Sequence, residues 1–307
     1  MNTLYFKYAV EVERTHSITR AASNLYMAQP NLSKAIKELE DTLGITIFER
    51  TPKGVIPTLK GKEFLEYAKK ILIQMEKMES LKLSKNRVCQ SFNVAVPGSC
   101  YISSCISEFI SELDVSQDID INVERMNSVD MINSVSDGKY NLGIIHYPLE
   151  YENYFTDFLK DKNLKSEVIW TFEHLLLMSR NNPVSEKEKI SEQDIENLIE
   201  IMHDDIYVPY INGITKKNIS SKRIVIHEKI SQFEILCNIP QSFMWASPVP
   251  EYILEHYNLI HRKCSHLSSK CRDMIIFPEG YKFTDIDRKF ADKIYSSKNK
   301  VSFVEYI

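Results

Sequence analysis

Ser17-Ile18-Thr19-Arg20-Ala21-Ala22-Ser23-Asn24-Leu25-Tyr26-Met27-Ala28-Gln29-Pro30-Asn31-Leu32-Ser33-Lys34-Ala35-Ile36, running on to Leu39, Leu43 and Gly44, decides the fold. Ile18, Ala21, Ala22 and Leu25 recur at helical spacing behind Ser17. A serine there caps a helix, because its hydroxyl accepts an N–H that the first turn leaves unpaired. The small Ala21–Ala22 pair lets another helix approach closely. Tyr26-Met27-Ala28 breaks the pattern. Pro30 then stands where a helix begins, a position at which its missing N–H costs nothing. Leu32, Ile36, Leu39 and Leu43 follow at steps of 4, 3 and 4 until Gly44 supplies the stop. The opposite face shows Asn31, Ser33, Lys34 and Lys37. A short helix, a tight turn and a second helix with a polar-basic outer face predict a helix-turn-helix.

Working outward, Leu4, Tyr5, Tyr8, Ala9 and Val12 predict a preceding amphipathic helix. After Gly44, Ile45–Phe48 and Val55-Ile56 read as two short strands about a turn holding Pro52 and Gly54. Arg50 and Lys53 near its tip are placed to hold phosphates, as the wing of a winged helix does. Thr58 caps a long helix over 59–83. Gly61, Phe64, Ala68, Ile71, Met75 and Met78 step by 3, 4, 3, 4 and 3 along it. That heptad seam predicts pairing with a second copy of the chain.

The charge splits at the end of this helix. Residues 1–87 carry 15 Lys and Arg against 10 Asp and Glu, or +5, while residues 88–307 carry 23 against 32, or −9. The whole-chain value of −4 hides a basic head on an acidic body. A polyanion partner is expected for the head only. Only 8 glycines occur in 307 residues, and neither GxGxxG nor GxxxxGK[ST] is present. Glu11 and Glu13 argue against a signal peptide. The uncharged run Val88–Ser107 is Ser-rich and holds Pro97 and Gly98, unlike a membrane helix. The six cysteines lack CxxC spacing, so reduced thiols and a cytoplasmic protein are expected, with no membrane partner.

The body alternates. Phe92-Val94-Val96, Ile119-Ile121-Val123 and Leu142–Ile145 predict strands; Ile102–Leu113 and Val129–Val135 predict the helices between them. This order is that of a parallel α/β sheet. Past residue 164 the plan repeats loosely through Val168–Trp170, Leu175–Met178, Leu198–Met202, Ile224–Ile226, Phe243–Trp245 and Met274–Phe277.

The head resembles the DNA-binding domain of LysR-type transcriptional regulators. The resemblance rests on Ser17-Ile18-Thr19-Arg20-Ala21-Ala22, Ala28 through Ile36, Leu39-Glu40, Leu43-Gly44, Ile47-Phe48-Glu49-Arg50, Thr58 and Gly61, in order and without a gap. It implies an α/β protein with an N-terminal winged helix-turn-helix and two periplasmic-binding-protein-like lobes. The implied boundaries are 1–58 for DNA binding, 59–87 for the dimerisation helix, 88–163 with 268–307 for one lobe and 164–267 for the other. It also implies a recognition helix over 29–43 in the major groove of an interrupted palindrome. Thr19, Ala28, Gln29, Pro30, Asn31, Ser33, Lys34 and Lys37 would lie at the DNA, with Arg50 and Lys53 along its backbone. Phe64, Ala68, Ile71, Met75 and Met78 would form the dimer seam, and paired dimers a tetramer, with RNA polymerase as a further partner. In the body, Asp137-Gly138-Lys139-Tyr140-Asn141-Leu142-Gly143-Ile144 matches the family pattern, with Asn141 where Asp is usual. The usual glycine-rich stretch of the second lobe is replaced by Asn238-Ile239-Pro240-Gln241.

Ligands of open parallel sheets bind beyond the carboxyl ends of the strands. That rule selects Ser99, Cys100, Tyr101, Ser128, His146, His203, Asp204 and Ser247 as effector contacts. Ser99 and Ser128 precede helices, whose free N–H groups favour an anion, so a small carboxylate is the expected effector. Plain capping is the competing reading for both serines. An enzyme would need Cys100 activated by His146 or His203, and no local motif supports it. His256, His261, Cys264 and His266 lack a metal-ligand spacing, so neither metal nor cofactor is expected. The family resemblance leaves one alternative, a thiol switch formed by Cys264 and Cys271.

Overall fold

A computed structural model of the chain describes residues 2–52, 54–83, 89–203, 220–226, 232–264 and 267–302. It divides into two compact units, residues 1–87 with 137–139, and residues 88–136 with 140–307.

In the head, α1 (Leu4–Thr15), α2 (Ile18–Asn24) and α3 (Gln29–Leu43) precede a hairpin of β1 (Phe48–Thr51) and β2 (Gly54–Pro57), and α4 (Leu59–Leu83) follows. The local signals act as read. The Ser17 side chain accepts the Arg20 N–H, and Gly44 closes α3 in the left-handed region at φ +67°. Ala9, Val12, Ala21, Leu32, Leu39, Ile47, Leu65 and Ala68 form one buried core. Glu40 on α3 fixes the hairpin, since its Oε1 accepts the N–H groups of Ile47 (2.6 Å) and Phe48 (3.0 Å). The Thr58 hydroxyl accepts the Gly61 N–H at 2.9 Å and donates to the Thr46 carbonyl at 2.6 Å. That cap joins the start of α4 to the strand entry.

The heptad seam of α4 divides in a way the spacing did not anticipate. Gly61, Leu65, Ala68 and Leu72 face the core of the head, and Phe64 packs edge-on against Phe6. Ile71 and Met78 face outward at 41% and 66% exposure, with Met75 half-buried. Ala68, expected in a dimer seam, is wholly buried within its own chain. Leu65 and Leu72 complete a second apolar stripe, and it is this stripe that folds the head.

The body holds two five-stranded sheets. Its elements are β3 (Cys89–Val96), α5 (Cys100–Ser111), β4 (Asp118–Arg125), α6 (Ser128–Ser136), β5 (Leu142–Pro148), α7 (Glu152–Asp161), β6 (Leu164–Glu173), β7 (Leu175–Ser179), α8 (Glu192–Glu196), β8 (Ile199–His203), β9 (Lys222–Ile226), α9 (Gln232–Asn238), β10 (Ser242–Ala246), α10 (Glu251–His256), β11 (Leu259–Arg262), β12 (Lys270–Pro278) and α11 (Asp285–Ser302). The first sheet runs β4-β3-β5-β12-β6 and the second β11-β7-β10-β8-β9. The expected parallel pairing holds for β3 with β4 and β5. The returning β12 lies antiparallel to both β5 and β6, so the sheet is mixed.

That return corrects one expectation. Residues 164–173 read as the start of the second lobe, yet β6 pairs along its length with β12 in the first sheet. Its alternating burial suits a strand with one covered face, and β7, buried throughout, is the first strand of the second lobe. The chain therefore crosses between lobes at His174. The His174 N–H donates to the Ser269 carbonyl at 3.1 Å, tying the outgoing segment to the returning one.

Candidate functional site

On the head, Leu32, Ala35, Ile36 and Leu39 bury the inner face of α3. Asn31, Lys34 and Lys37 are exposed, and Gln29 and Ser33 half-exposed, so a polar-basic face is left outward. Lys34 lies 3.8 Å from Glu38, an exposed pair that contributes little. Arg50 on β1 is shared by two grooves. One, of about 610 Å³, also has Thr19, Arg20 and Gln29 in its lining. The other, of about 570 Å³, includes Ser33 and Lys37. The Val55 N–H donates to the His16 carbonyl at 2.9 Å and so holds the hairpin beside the turn that precedes α2. Thr19, Gln29, Ser33, Lys37 and Arg50 thus form one continuous surface. Ala28 and Pro30 are exposed at the start of α3. Lys53 lies outside the described residues. Arg20, which the sequence reading passed over, joins Gln29 in the first groove.

In the body, a cavity of about 330 Å³ lies where α5 begins, between the lobes. Ser99, Cys100, Ser103, Arg125 and Gln232 are its polar lining, with Phe233 and Ile253 among its apolar walls. Ser99 occupies the N-cap position of α5 without capping it. Its hydroxyl instead meets that of Ser247 at 2.9 Å, a buried contact across the lobes. Ser104 and Tyr252 make a second, part-buried contact across the lobes at 3.0 Å. Burial pushes the Cys100 thiol up to about 12, against the opposite pull of Arg125 and the Gln232 amide. A thiol held up in this way is largely un-ionised at neutral pH, the form less suited to nucleophilic attack.

The remaining effector residues part company. Tyr101 turns into the first-lobe core, where its O–H donates to Asp273 at 2.5 Å and its ring meets Trp170 edge-on. Successive helical residues point about 100° apart, so Cys100 and Tyr101 were never going to share a wall. Ser128 is buried and bonded to both backbone groups of His146, at 2.7 and 2.9 Å. The turn of α6 is capped by Asn127, whose side chain accepts the Asp130 N–H. His146 faces Asp273 at 2.6 Å and stacks on His174. Burial disfavours the His146 cation, but the Asp273 carboxylate and the Cys271 thiol outweigh this and raise the group to about 10. His203 ends β8 with its side chain undescribed, and Asp204 lies outside the described residues.

The two cysteines of the thiol-switch alternative have different surroundings. Cys264 donates to the Ile190 carbonyl at 3.3 Å within the second-lobe core. Cys271 sits 3.7 Å from His174 in the first sheet. Both are free thiols and both are buried. No helix among the described residues is long and apolar enough to cross a membrane.

Ser103, Arg125 and Gln232 are polar cleft residues that the sequence reading missed. Arg125 is the last residue of β4. The rule that selects strand ends reached past it to Ser128.

The model of the bacterial regulatory helix-turn-helix protein, lysR family, matches residues 5–62. The uncharacterized HTH-type transcriptional regulator YcgK of Bacillus subtilis (strain 168) is 26% identical over 50% of this chain and 47% of its own length. The chain thus spans about half of that relative. The probable RuBisCO transcriptional regulator of Trieres chinensis is 30% identical over 230 residues, 73% of this chain and 69% of that protein. Among solved structures, full-length CbnR complexed with the target DNA has a TM-score of 0.58 at 16% identity. That likeness, over 97% of this chain and 100% of CbnR, is one of fold alone.

Proposed function

The chain belongs to the LysR family of bacterial helix-turn-helix regulators, and from that premise we propose that it binds operator DNA and is switched by a small carboxylate held in the α5 cleft. The continuous surface of Thr19, Gln29, Ser33, Lys37 and Arg50 carries the first half of this reading. α3 enters the major groove. Gln29 and Ser33 read base edges, while Lys34, Lys37 and Arg50 contact phosphates. With a head charge of only +5, sequence preference depends on these contacts and on two heads per dimer more than on bulk attraction. The outward residues Ile71, Met75 and Met78 of α4 pair two chains, and paired dimers bind an interrupted palindrome. RNA polymerase is the further partner at the promoter.

The juxtaposition of Arg125, the Ser103 hydroxyl and the start of α5 supports the second half. A guanidinium beside a helix N-terminus favours a carboxylate, and Phe233 and Ile253 suit an apolar substituent. The ligand contacts both lobes and acts only through its differential affinity for their arrangements.

Two measurements test the reading. Gln29→Ala with Ser33→Ala is expected to lower affinity for the operator far more than for unrelated DNA, by fluorescence anisotropy. An unchanged preference rejects the recognition assignment. A thermal-shift screen of small carboxylates is expected to find a ligand that stabilises the native chain but not Arg125→Ala. Equal stabilisation of both rejects the cleft.

A further inference from the structure

Three groups that no part of this function uses converge where the chain crosses between lobes. His146 lies on β5, His174 stands between β6 and β7, and Cys271 is the second residue of β12. Their ligating atoms all lie within 4.8 Å of one another. His174 and Cys271 are buried, and the His146 side chain is 13% exposed, which leaves a way in from solvent. Among the described residues, this is the grouping of histidine, cysteine or carboxylate side chains with metal-binding spacing.

We propose that His146, His174 and Cys271 bind one Zn²⁺ ion that clamps the crossover between the lobes. Bonds of about 2.0–2.1 Å to nitrogen and 2.3 Å to sulfur at a tetrahedral angle set nitrogen and sulfur roughly 3.5 Å apart. The Cys271 sulfur and His174 Nδ1 are 3.7 Å apart already. The remaining separations in the group are no more than 4.8 Å. Nitrogen and thiolate together suit Zn²⁺ and argue against Mg²⁺ or Ca²⁺, which take oxygen.

Asp273 is wholly buried, and its Oδ1 lies 2.6 Å from His146 Nδ1. This bond orients the ring and leaves Nε2 for the ion. Tyr101 O–H fixes the other carboxylate oxygen at 2.5 Å. Carboxylate–histidine–metal relays of this kind hold the ligand's tautomer and direction. The Asp273 carboxylate and a Cys271 thiolate together balance a divalent ion within the protein. Three protein ligands would leave a fourth position for water.

The place gives the ion its consequence. His174 is the single residue between a strand of the first sheet and a strand of the second, while Cys271 begins the return. An ion bonded to both, and to β5 through His146, joins the outgoing and returning segments. It would stiffen the crossover between the two sheets. This is a separate site from the Arg125 cleft, and it stands whether or not a carboxylate binds there.

The full-length chain, stripped with a chelator, is titrated with Co²⁺ as a coloured substitute. One equivalent is expected to bind with a thiolate-to-cobalt charge-transfer band, and Zn²⁺ is expected to displace it. Cys271→Ser is expected to lose the band. His174→Gln is expected to weaken Zn²⁺ by more than about tenfold in competition with a chromophoric chelator. Cys264→Ser keeps both signals. Absence of the band in the unsubstituted chain overturns the proposal, and this measurement needs no variant to fold. Binding that survives unchanged in Cys271→Ser and His174→Gln also overturns it. The cluster is then a hydrogen-bonded network around Asp273 only.

Discussion

Gly61→Ala sets two physical rules against each other. In an exposed helix interior, replacing Gly by Ala stabilises by about 1 kcal/mol, because glycine loses more backbone freedom on folding. At Gly61 the added methyl would stand 2.0 Å from the Ile47 carbonyl oxygen, 2.8 Å from its carbon and 3.0 Å from its Cα. All three are backbone atoms, so no side chain can swing aside. Ordinary contact requires the start of α4 and the strand entry to part by more than 1 Å. The Ile47 carbonyl also accepts the Thr58 N–H at 2.9 Å, and Thr58 caps Gly61 itself. Separation therefore strains that bond and the cap as well. Overpacking costs about 1–3 kcal/mol and a lost buried hydrogen bond about 1 more. Set against the propensity gain, the net is a loss of about 2 kcal/mol. For a domain of this size the melting temperature of the head falls by on the order of 10 °C. Urea and thermal unfolding, followed by far-UV circular dichroism with operator binding as a second probe, measure it. A neutral or stabilising Gly61→Ala would refute the close approach and return Gly61 to an outward seam.

Arg50→Ala is expected to weaken binding to all DNA alike and to reduce the salt slope of log K by about 1; an intact slope removes Arg50 from the phosphate contacts. Ile71→Glu with Met78→Glu is expected to give monomers by light scattering while the melting of the head is unchanged, because both side chains point away from its core. The same change at Leu65 is expected to unfold the head. Burial alone holds His261 near 3. Below the ordinary histidine value near 6.5, the unfolded chain takes up a proton that the native state refuses. Stability is then full above that value and falls as pH drops, by about 2 kcal/mol between pH 6.5 and pH 5. Urea midpoints at the two pH values, compared with those of His261→Phe, check this, and equal slopes refute it.

The head was legible because its signals are local. Ser17, Pro30, Gly44 and Thr58 each act on N–H or C=O groups within one turn of themselves, so their spacing carries the helix boundaries directly. What the spacing left open there was the partner of an apolar stripe. Phe64, Ala68, Ile71, Met75 and Met78 form a sound heptad, but periodicity does not say whether a stripe faces its own chain or another. Leu65 and Leu72 settle it by giving α4 a second stripe on the inner side. Glu40 was invisible for a related reason. Its role lies in the N–H groups of Ile47 and Phe48, seven and eight residues on, beyond the reach of any helical pattern.

In the body the distances in sequence are far larger, and the lost information lies in the crossovers. Reading residues 164–173 as the opening of the second lobe placed the boundary ten residues early. Nothing in that strand itself reveals that its partner is β12, a hundred residues later. Once β6 and β12 pair, His174 and Ser269 must lie side by side, and Cys271 is brought to His174 from 97 positions away. The same pairing sets Asp273 opposite His146 in the register of β12 on β5. His146, selected as an effector contact beyond a strand end, is absent from the lining of the α5 cleft and is bonded instead to a buried carboxylate. Arg125 and Gln232 move in the opposite direction: unremarkable in sequence, they meet only because the lobes face each other across α5. The topology thus separates two places that strand-end reasoning had merged. The cleft at α5 is lined by groups from both lobes, Arg125 from the first and Gln232 from the second, while the crossover ties the outgoing segment at His174 to the returning one at Ser269.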